Sequence, residues 1–333
     1  MKKKIILFGA TGNVGSYMTK YLAEYFSGSV YEVIASGRRR TANVFKSMGV
    51  EYISVDITKP EEFENLPTEN VYAVILLSAA IPAYMKVYSA ELYLQTNVIG
   101  TYHVLEYCRK VHADRILFST SIFDISLHEQ PTHGLTDDLP LNFSYQGDHS
   151  VYIISKNSGR ELLKHYRAEY GLKNFVFRFP SIYLYSPDPY YYPNGNQTIR
   201  PLHLFIESAK EGKTIELWGD PNYSSDMVYV YDCSQLFARA ITSERDGGLY
   251  NVGTGYPVTL RDKINAIIEV FSPRENPSNI VYFPEKKNSG GFCMNVDKAK
   301  RELGYEPLYD VRKLFEDYKN EMELNRFEEL RVQ

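Results

Sequence analysis

Short apolar runs alternate with helix-length amphipathic segments through the first half of the chain. The predicted strands are Lys4–Phe8, Glu32–Ser36, Glu51–Val55, Ala73–Leu77, Arg115–Ser119 and Asn174–Arg178. Helical periodicity is found over Val14–Tyr25, near Thr41–Met48, over Tyr88–Val111 and over Val151–Tyr170. This alternation predicts βαβ units, and therefore an α/β domain with a doubly wound parallel sheet and helices on both of its faces.

The pattern changes after about residue 180, where a loop rich in Pro, Tyr, Asn and Gly spans residues 186–197. Shorter helices and strands follow. We therefore expect a nucleotide-binding domain over residues 1–180, to which parts of residues 225–255 return, and a smaller C-terminal α/β substrate-binding region over residues 181–333. Asp137 and Asp138 fall in a segment that we interpret as an exposed loop, so we expect both to be solvated.

Composition and charge argue against several classes of function. The formal net charge of −4 gives no electrostatic argument for binding nucleic acid or an anionic membrane. No stretch approaches the roughly 18 apolar residues of a membrane-spanning helix. The three cysteines, Cys108, Cys233 and Cys293, are scattered, which is typical of reduced thiols and favours a cytoplasmic location. The seven histidines have no ligand spacing, so no metal site is predicted.

Three glycines, Gly9, Gly12 and Gly15, follow the first predicted strand and precede the first predicted helix. In a βαβ unit, the first glycine permits a tight turn, the second lets the backbone approach a pyrophosphate, and the third allows close helix packing. The helix N-terminus then offers free N–H groups to the phosphate. This context predicts a dinucleotide-binding turn formed by Gly9, Thr11, Gly12, Asn13, Val14 and Gly15.

The residues after the second strand bear on the choice of cofactor. Units that bind NAD usually have an acidic residue here for the ribose 2′-hydroxyl. This chain instead has Arg38, Arg39 and Arg40, and guanidinium groups match a phosphate. NADP is therefore favoured over NAD, with Arg38 and Arg39 as its ligands. A solvated basic loop is the alternative interpretation.

Tyr152 and Lys156 lie four residues apart on one face of the last helix of the first half. A phenol with a pKa of about 10 is a poor base at neutral pH, and a nearby ammonium group stabilises its phenolate. The fifth strand ends at Ser119, Thr120 and Ser121, which places hydroxyls at the sheet edge where such folds bind ligands. The pattern predicts proton transfer coupled to hydride transfer.

The chain resembles the extended short-chain dehydrogenase/reductases of the NAD(P)-dependent epimerase/dehydratase family, which have a Rossmann domain. The glycine motif and four further motifs occur in family order, namely "VDIT", "SAA", "TNVIGT" and "YIISK". Later segments resemble the family's substrate half, namely "FRFPSIY", "WGDPNYSSDMVYVYD", "LYNVGTG" and "DKAKRELGYEP".

The resemblance implies residue roles. Ser121 would orient the substrate oxygen, Tyr152 would be the acid/base, and Lys156 would lower the tyrosine pKa and hold the nicotinamide ribose. Further cofactor-binding residues implied by the family are Asp56, Ile57, Ser78, Ala79, Ala80, Asn97, Ser119, Phe179 and Ile182, of which Asn97 is better explained as shaping a helix. The predicted substrate-binding residues are Ser121, Ser181, Tyr183, Arg200 and Ser225.

Departures from the family pattern limit the reaction. Ile122 and Phe123 replace the acidic pair of the family's dehydratases, so a 4,6-dehydratase is disfavoured. Ser181 stands where sugar-nucleotide enzymes have Asn, and Ser225 stands where they have an Arg that pairs with the diphosphate. Because serine carries no charge, a nucleotide-diphosphate substrate is in doubt.

We therefore expect an NAD(P)-dependent epimerase that acts on a sugar or sugar-nucleotide through a transient keto intermediate. The alternative is an NADP-dependent dehydrogenase or ketoreductase of a carbohydrate-like substrate, and a non-catalytic dinucleotide sensor is a third hypothesis. The expected partner is a small molecule, with neither nucleic acid nor membrane, and the family's dimers imply a homodimer.

Overall fold

A seven-stranded parallel sheet forms the centre of the protein in a computed structural model, which describes residues 1–287 and 291–331. Six of its strands come from the first 180 residues: β1 (Lys3–Phe8), β2 (Tyr31–Gly37), β3 (Glu51–Ser54), β4 (Val71–Leu76), β5 (Arg115–Ser121) and β6 (Lys173–Phe179). The remaining strands are β7 (Ile182–Tyr183), β8 (Tyr190–Tyr191), β9 (Thr198–Ile199), β10 (Ile215–Trp218), β11 (Ser224–Ser225), β12 (Val228–Tyr229), β13 (Gly247–Asn251), β14 (Val258–Thr259) and β15 (Ile280–Phe283).

The strand order in the sheet is β13-β6-β5-β4-β1-β2-β3, and every neighbouring pair is parallel. The chain builds outward from β1 to β3, then crosses back to β4 and builds in the other direction. The carboxyl ends of β1 and β4 therefore border the crevice where such sheets bind ligands. The predicted fold class, a doubly wound α/β sheet of Rossmann type, is confirmed.

The described helices are α1 (Asn13–Tyr25), α2 (Asn43–Ser47), α3 (Ala90–Tyr93), α4 (Gly100–Lys110), α5 (His149–Tyr170), α6 (Pro201–Lys210), α7 (Val230–Thr242), α8 (Leu260–Phe271), α9 (Asp297–Leu303) and α10 (Val311–Leu324). None of these helices is long and apolar enough to cross a bilayer.

Both faces of the sheet are buried, which explains why its strands are continuous apolar runs. In β1, Ile5 and Leu7 belong to the core on one face, while Ile6 and Phe8 belong to the core on the other. Helices α1 and α7 pack side by side on the first face, and α4 and α5 cover the second. The C-terminal region packs α8 against α6 and α10 and pairs β10 with β15.

The long helix predicted over Tyr88–Val111 is interrupted by a π-helical segment, Leu94–Ile99, which joins α3 to α4. Asn97 lies in that segment and is 2% exposed. Its side-chain amide accepts from the Ala80 N–H at 2.9 Å and donates to the Ala80 carbonyl at 3.0 Å. The helix therefore widens where one side chain holds the loop that follows β4.

The expectation that Asp137 is solvated is wrong. Its side chain is buried, and its carboxylate accepts a hydrogen bond from the Asn251 N–H in β13. The carbonyl oxygen of Asp137 also accepts from Nη1 of the buried Arg178, at 3.3 Å. Asp137 therefore attaches the loop to the edge of the sheet. Asp138 is exposed, and its carboxylate accepts a hydrogen bond from the Thr136 hydroxyl.

Candidate active site

The glycine-rich turn joins β1 directly to α1. Gly9 has a φ of +89°, a conformation that glycine adopts without strain, and a side chain at Gly15 would collide with the Gly9 carbonyl oxygen. Gly12 is the N-cap of α1 and offers no side-chain cap, and the first turn contains no acidic residue. The N–H groups of this helix start are therefore available to an anion, as a dinucleotide pyrophosphate requires.

A cleft of about 430 Å³ opens beside this turn, at the carboxyl ends of the strands. It continues into a second cleft of about 560 Å³, with Asn13, Ala79 and Tyr84 lining both. The predicted cofactor residues that line the first cleft are Gly9, Thr11, Gly12, Asn13, Arg38, Arg39, Asp56, Ile57, Ser78, Ala79 and Ala80. Those that line the second are Asn13, Val14, Ala79, Ser119, Tyr152, Lys156, Phe179 and Ile182.

Two predicted cofactor residues line neither cleft. Gly15 packs α1 against the turn, as its contact with Gly9 shows. Asn97 binds the loop after β4 and the Ser155 hydroxyl of α5, at 2.9 Å. Both residues therefore shape the walls of the site without facing it.

The second cleft brings together the three predicted catalytic residues. Tyr152 and Lys156 lie in the first two turns of α5, and Ser121 ends β5. All three side chains are buried, and the Lys156 ammonium lies 4.1 Å from the centre of the Phe118 ring. The Ser121 Oγ accepts a hydrogen bond from the Phe123 N–H at 3.3 Å, which fixes the start of the next turn.

Burial dominates the acid–base properties of this trio. It raises the pKa of Tyr152 to about 12, an increase that the Ser121 hydroxyl opposes and the Asp124 carboxylate reinforces. Burial also lowers the pKa of Lys156 to about 7. The phenol of Tyr152 therefore keeps its proton at neutral pH.

Hydrogen bonds fix the backbone at the end of the first cleft that lies beside β2 and β3. The Tyr52 hydroxyl donates to the carbonyl oxygens of Gly37 and Arg39, at 2.9 and 2.7 Å. Asp56 accepts from the N–H and the hydroxyl of Thr58, at 3.0 and 2.8 Å, so its carboxylate is engaged locally. Three consecutive arginines follow Gly37, and two of them line the cleft.

The outer part of the second cleft is lined by tyrosines and cations. The Arg200 guanidinium lies 5.4 and 5.6 Å from the ring centres of Tyr84 and Tyr191. Lys263 Nζ donates to the Tyr183 hydroxyl at 3.2 Å. Within the described residues, neither cation has a carboxylate within ion-pair distance, so both leave positive charge available to a ligand.

Of the predicted substrate-binding residues, the structure places Ser121, Ser181, Tyr183 and Arg200 in this cleft. Ser225 lies elsewhere, because β11 pairs with β14 and sets Ser225 opposite Val258. Lys263, which also lines the cleft, was not predicted from the sequence. It lies on α8, outside every motif, so no local signal could have identified it.

The comparisons with known proteins agree with this geometry. The model of the NAD dependent epimerase/dehydratase family matches residues 5–253, about three quarters of the chain. The chain belongs to this family. Its relatives are NAD-dependent epimerases and dehydratases, so it is a member of an enzyme family. The match covers the glycine-rich turn, the sheet from Ile5 in β1 to the end of β13, and Ser121, Tyr152 and Lys156.

Within the family, the chain is 24% identical over 311 residues to a putative UDP-glucose 4-epimerase of Methanocaldococcus jannaschii, covering 92% of this chain and 94% of that one. It is 24% identical over 336 residues to the dTDP-glucose 4,6-dehydratase of Salmonella typhimurium, with coverage of 92% and 88%. Among solved structures, the UDP-glucose 4-epimerase of Thermotoga maritima with UDP-glucose has a TM-score of 0.75 at 24% identity, covering 96% of this chain and 99% of that chain. At this level of identity the structural match shows the fold.

Proposed function

We propose that the chain is an NAD(P)-dependent epimerase of a sugar or sugar-nucleotide, acting through a transient keto intermediate. The observation that carries the proposal is a pair of clefts that share lining residues. One contains the glycine-rich turn and the other contains Ser121, Tyr152 and Lys156. This arrangement supports a redox cofactor extending from the turn toward the buried phenol.

The proposal gives each residue of the two clefts discussed below a chemical role. The N–H groups at the start of α1 would bind the pyrophosphate of the dinucleotide, whose nicotinamide supplies hydride transfer when bound. Ser121 would hold the substrate oxygen, and Tyr152 would take its proton and later return it. Lys156 would stabilise the phenolate by its charge. The apolar side chains of Ile122 and Phe123 supply no second acid, so we expect no loss of water.

We propose NADP as the preferred cofactor. Arg38 and Arg39 line the first cleft, and the residues from Ser36 to Arg40 include no carboxylate that would repel a 2′-phosphate. NAD is bound in solved structures of family members, such as the UDP-glucuronic acid 4-epimerase of Bacillus cereus. NADP preference would therefore distinguish this chain from those relatives.

A dehydrogenase or ketoreductase is the second candidate. It is favoured by Ser225, which replaces the family's diphosphate-pairing arginine and lies outside the substrate cleft. We propose that Arg200 and Lys263 supply positive charge in place of that arginine.

We also propose a division of the chain into two regions. Residues 1–180 with β13 would hold the cofactor, and most of residues 181–333 would bind the substrate.

The test is turnover with a panel of UDP-sugars and dTDP-glucose, followed by nuclear magnetic resonance of the sugar and by nicotinamide absorbance. An epimerase converts the sugar with only a catalytic amount of cofactor and with no net change in nicotinamide absorbance, because the hydride returns to the substrate. A ketoreductase consumes reduced cofactor in proportion to product. The proposal would be overturned if neither epimerisation nor reduction were observed with protein that mass spectrometry shows to carry or bind the cofactor.

We also propose a homodimer that pairs the helical segments over residues 90–110 and α5 with those of a second copy. The exposed apolar side chains on these segments are Leu92, Leu94, Ile99, Tyr102 and Ile154, each about two-fifths exposed. Light scattering after size exclusion tests it, and a monomer would exclude it. The cytoplasmic location stays a prediction.

A further inference from the structure

Residues 325–331, here called the terminal segment, reach the glycine-rich turn from the other end of the chain. Arg331 Nη1 donates to the Thr11 carbonyl at 3.0 Å, and Nη2 donates to the Ser16 hydroxyl at 2.8 Å. The carbonyl oxygen of Leu330 accepts from Arg39 Nη2 at 2.8 Å. The terminal segment therefore touches both the turn and the basic loop that follows β2.

The terminal segment is also held by two residues that precede these contacts, Phe327 and Glu329. The Phe327 ring is buried with its centre 4.8 Å from that of Tyr17 in α1. The Glu329 carboxylate accepts from the N–H groups of Asn43 and Val44, at 2.8 and 2.9 Å, and so caps the short helix α2. These contacts place Arg331 at a defined position beside the cleft.

The electrostatic setting of Arg331 is unfavourable without an anion. Its guanidinium lies at the N-terminal, positive end of α1, and within the described part of the chain no carboxylate lies within ion-pair distance of it. Burial lowers its pKa, and the positive charge of Arg39 lowers it further. Its Nε is buried without a hydrogen-bond partner. The Arg331 Nε–H is therefore an unused donor at a point where the guanidinium groups of Arg39 and Arg331 lie close to the start of α1.

We propose that Arg331 is a cofactor-specificity residue, which together with Arg38 and Arg39 binds the 2′-phosphate of NADP. The inference rests on the proposed preference for NADP. Leu330 and Arg331 line the same cleft as Arg38, Arg39 and Thr11, so the terminal segment forms part of its wall. A guanidinium presents a planar set of donors that matches phosphate oxygens.

The test is calorimetric titration of the full-length protein with NADP and with NAD, comparing wild type with Arg331→Gln. We expect the variant to bind NADP about tenfold more weakly, the loss typical of one charge-assisted contact, and to bind NAD within about twofold of wild type. Unchanged NADP binding, or an equal loss for both dinucleotides, would overturn the proposal. Equal loss would assign Arg331 to the pyrophosphate or to structure alone.

Arg312→Gln is the matched charge control, because Arg312 is an exposed arginine of α10 that pairs with Glu269 and Glu316 and lies outside the cleft. The double variant Arg38→Gln/Arg39→Gln separates the two proposals. If it loses NADP preference while Arg331→Gln keeps it, only the Arg331 proposal fails. If wild type does not prefer NADP, both fail. Should Arg331→Gln unfold, Arg331→Lys decides, with the same specific loss of NADP binding expected because lysine lacks the guanidinium fork.

Discussion

Arg178 Nε donates to Asp124 Oδ1 at 2.8 Å, and both side chains are completely buried. Arg178 lies in β6 one residue before Phe179, which lines the second cleft, and Asp124 lies three residues after Ser121. The ion pair therefore attaches the turn that follows Ser121 to the neighbouring strand. Burial raises the pKa of Asp124, whereas the Arg178 charge lowers it.

Asp124→Asn should destabilise the protein by about 3 kcal/mol, because it removes the carboxylate that pairs with the buried Arg178 and with Arg160. Urea denaturation measures this loss. The double variant Asp124→Asn/Arg178→Met should recover part of it, since no buried charge remains uncompensated in the pair. Glu316→Gln removes a surface partner of Arg312 and should change stability by less than about 0.5 kcal/mol. A similar loss for the buried and surface variants would contradict the assignment.

Tyr152→Phe should lower turnover by a factor of about 10² to 10⁴, the range for loss of a general acid/base, and should leave dinucleotide binding intact. Tyr93→Phe is its matched control, because the Tyr93 ring lies 5.9 Å from that of Tyr152 and its buried hydroxyl has no hydrogen-bond partner. Removing that hydroxyl should leave turnover unchanged and stability equal or higher. Retained turnover in Tyr152→Phe would assign the proton transfer to another group.

Lys156→Met should abolish turnover and yet raise the free energy of unfolding by about 2 kcal/mol at pH 7, because the wild-type lysine is held where its charged form is disfavoured. Its pKa is about 7 in the folded chain, whereas an exposed lysine has one of about 10.4. The unfolded chain therefore binds more protons between these pH values, and the lysine makes wild-type stability rise with pH across that window. The difference between wild type and variant, measured by denaturation from pH 7 to 10, should shrink as pH rises. A constant difference would show that the lysine keeps its proton when folded.

Arg200→Gln should weaken binding of UDP-glucose about tenfold by calorimetry, because it removes a cation of the substrate cleft that has no ion-pair partner within the described residues. Arg261→Gln is the control: Arg261 lies over the Tyr282 ring, outside the cleft. A sugar without phosphate should bind both variants as it binds wild type. Unchanged UDP-glucose binding by Arg200→Gln would remove the proposed substitute for the diphosphate-pairing arginine.

The sequence predicts the six strands of its first half to within one or two residues, because burial on both faces leaves a continuous apolar signal. It predicts one helix over Tyr88–Val111, where the structure has a π-helical segment. That difference depends on Asn97 contacting Ala80, seventeen residues away in the chain, which no local period records. Asp137 was placed in solvent for the same reason, since its partner Asn251 is 114 residues away.

The residues of the candidate site also fall into two groups, those that local spacing in the sequence locates and those that only tertiary packing brings to the site. The glycine-rich turn and the Tyr152–Lys156 pair follow local spacing, so the sequence alone locates them. Lys263 and Arg331 reach the clefts through tertiary packing and belong to no motif. Charges that approach a site from distant segments can be found only once the fold has placed them.

The position of β13 has a consequence for how the protein is made. Strand β6 is complete at Phe179, but its outer neighbour, β13, begins only at Gly247. While the ribosome adds the residues between them, β6 presents an open edge of unpaired backbone groups, a feature that promotes pairing between chains. The edge of β6 is therefore open to pairing with other chains over that interval, and a translational pause before β13 has left the ribosome should lower the soluble yield more than a pause after it.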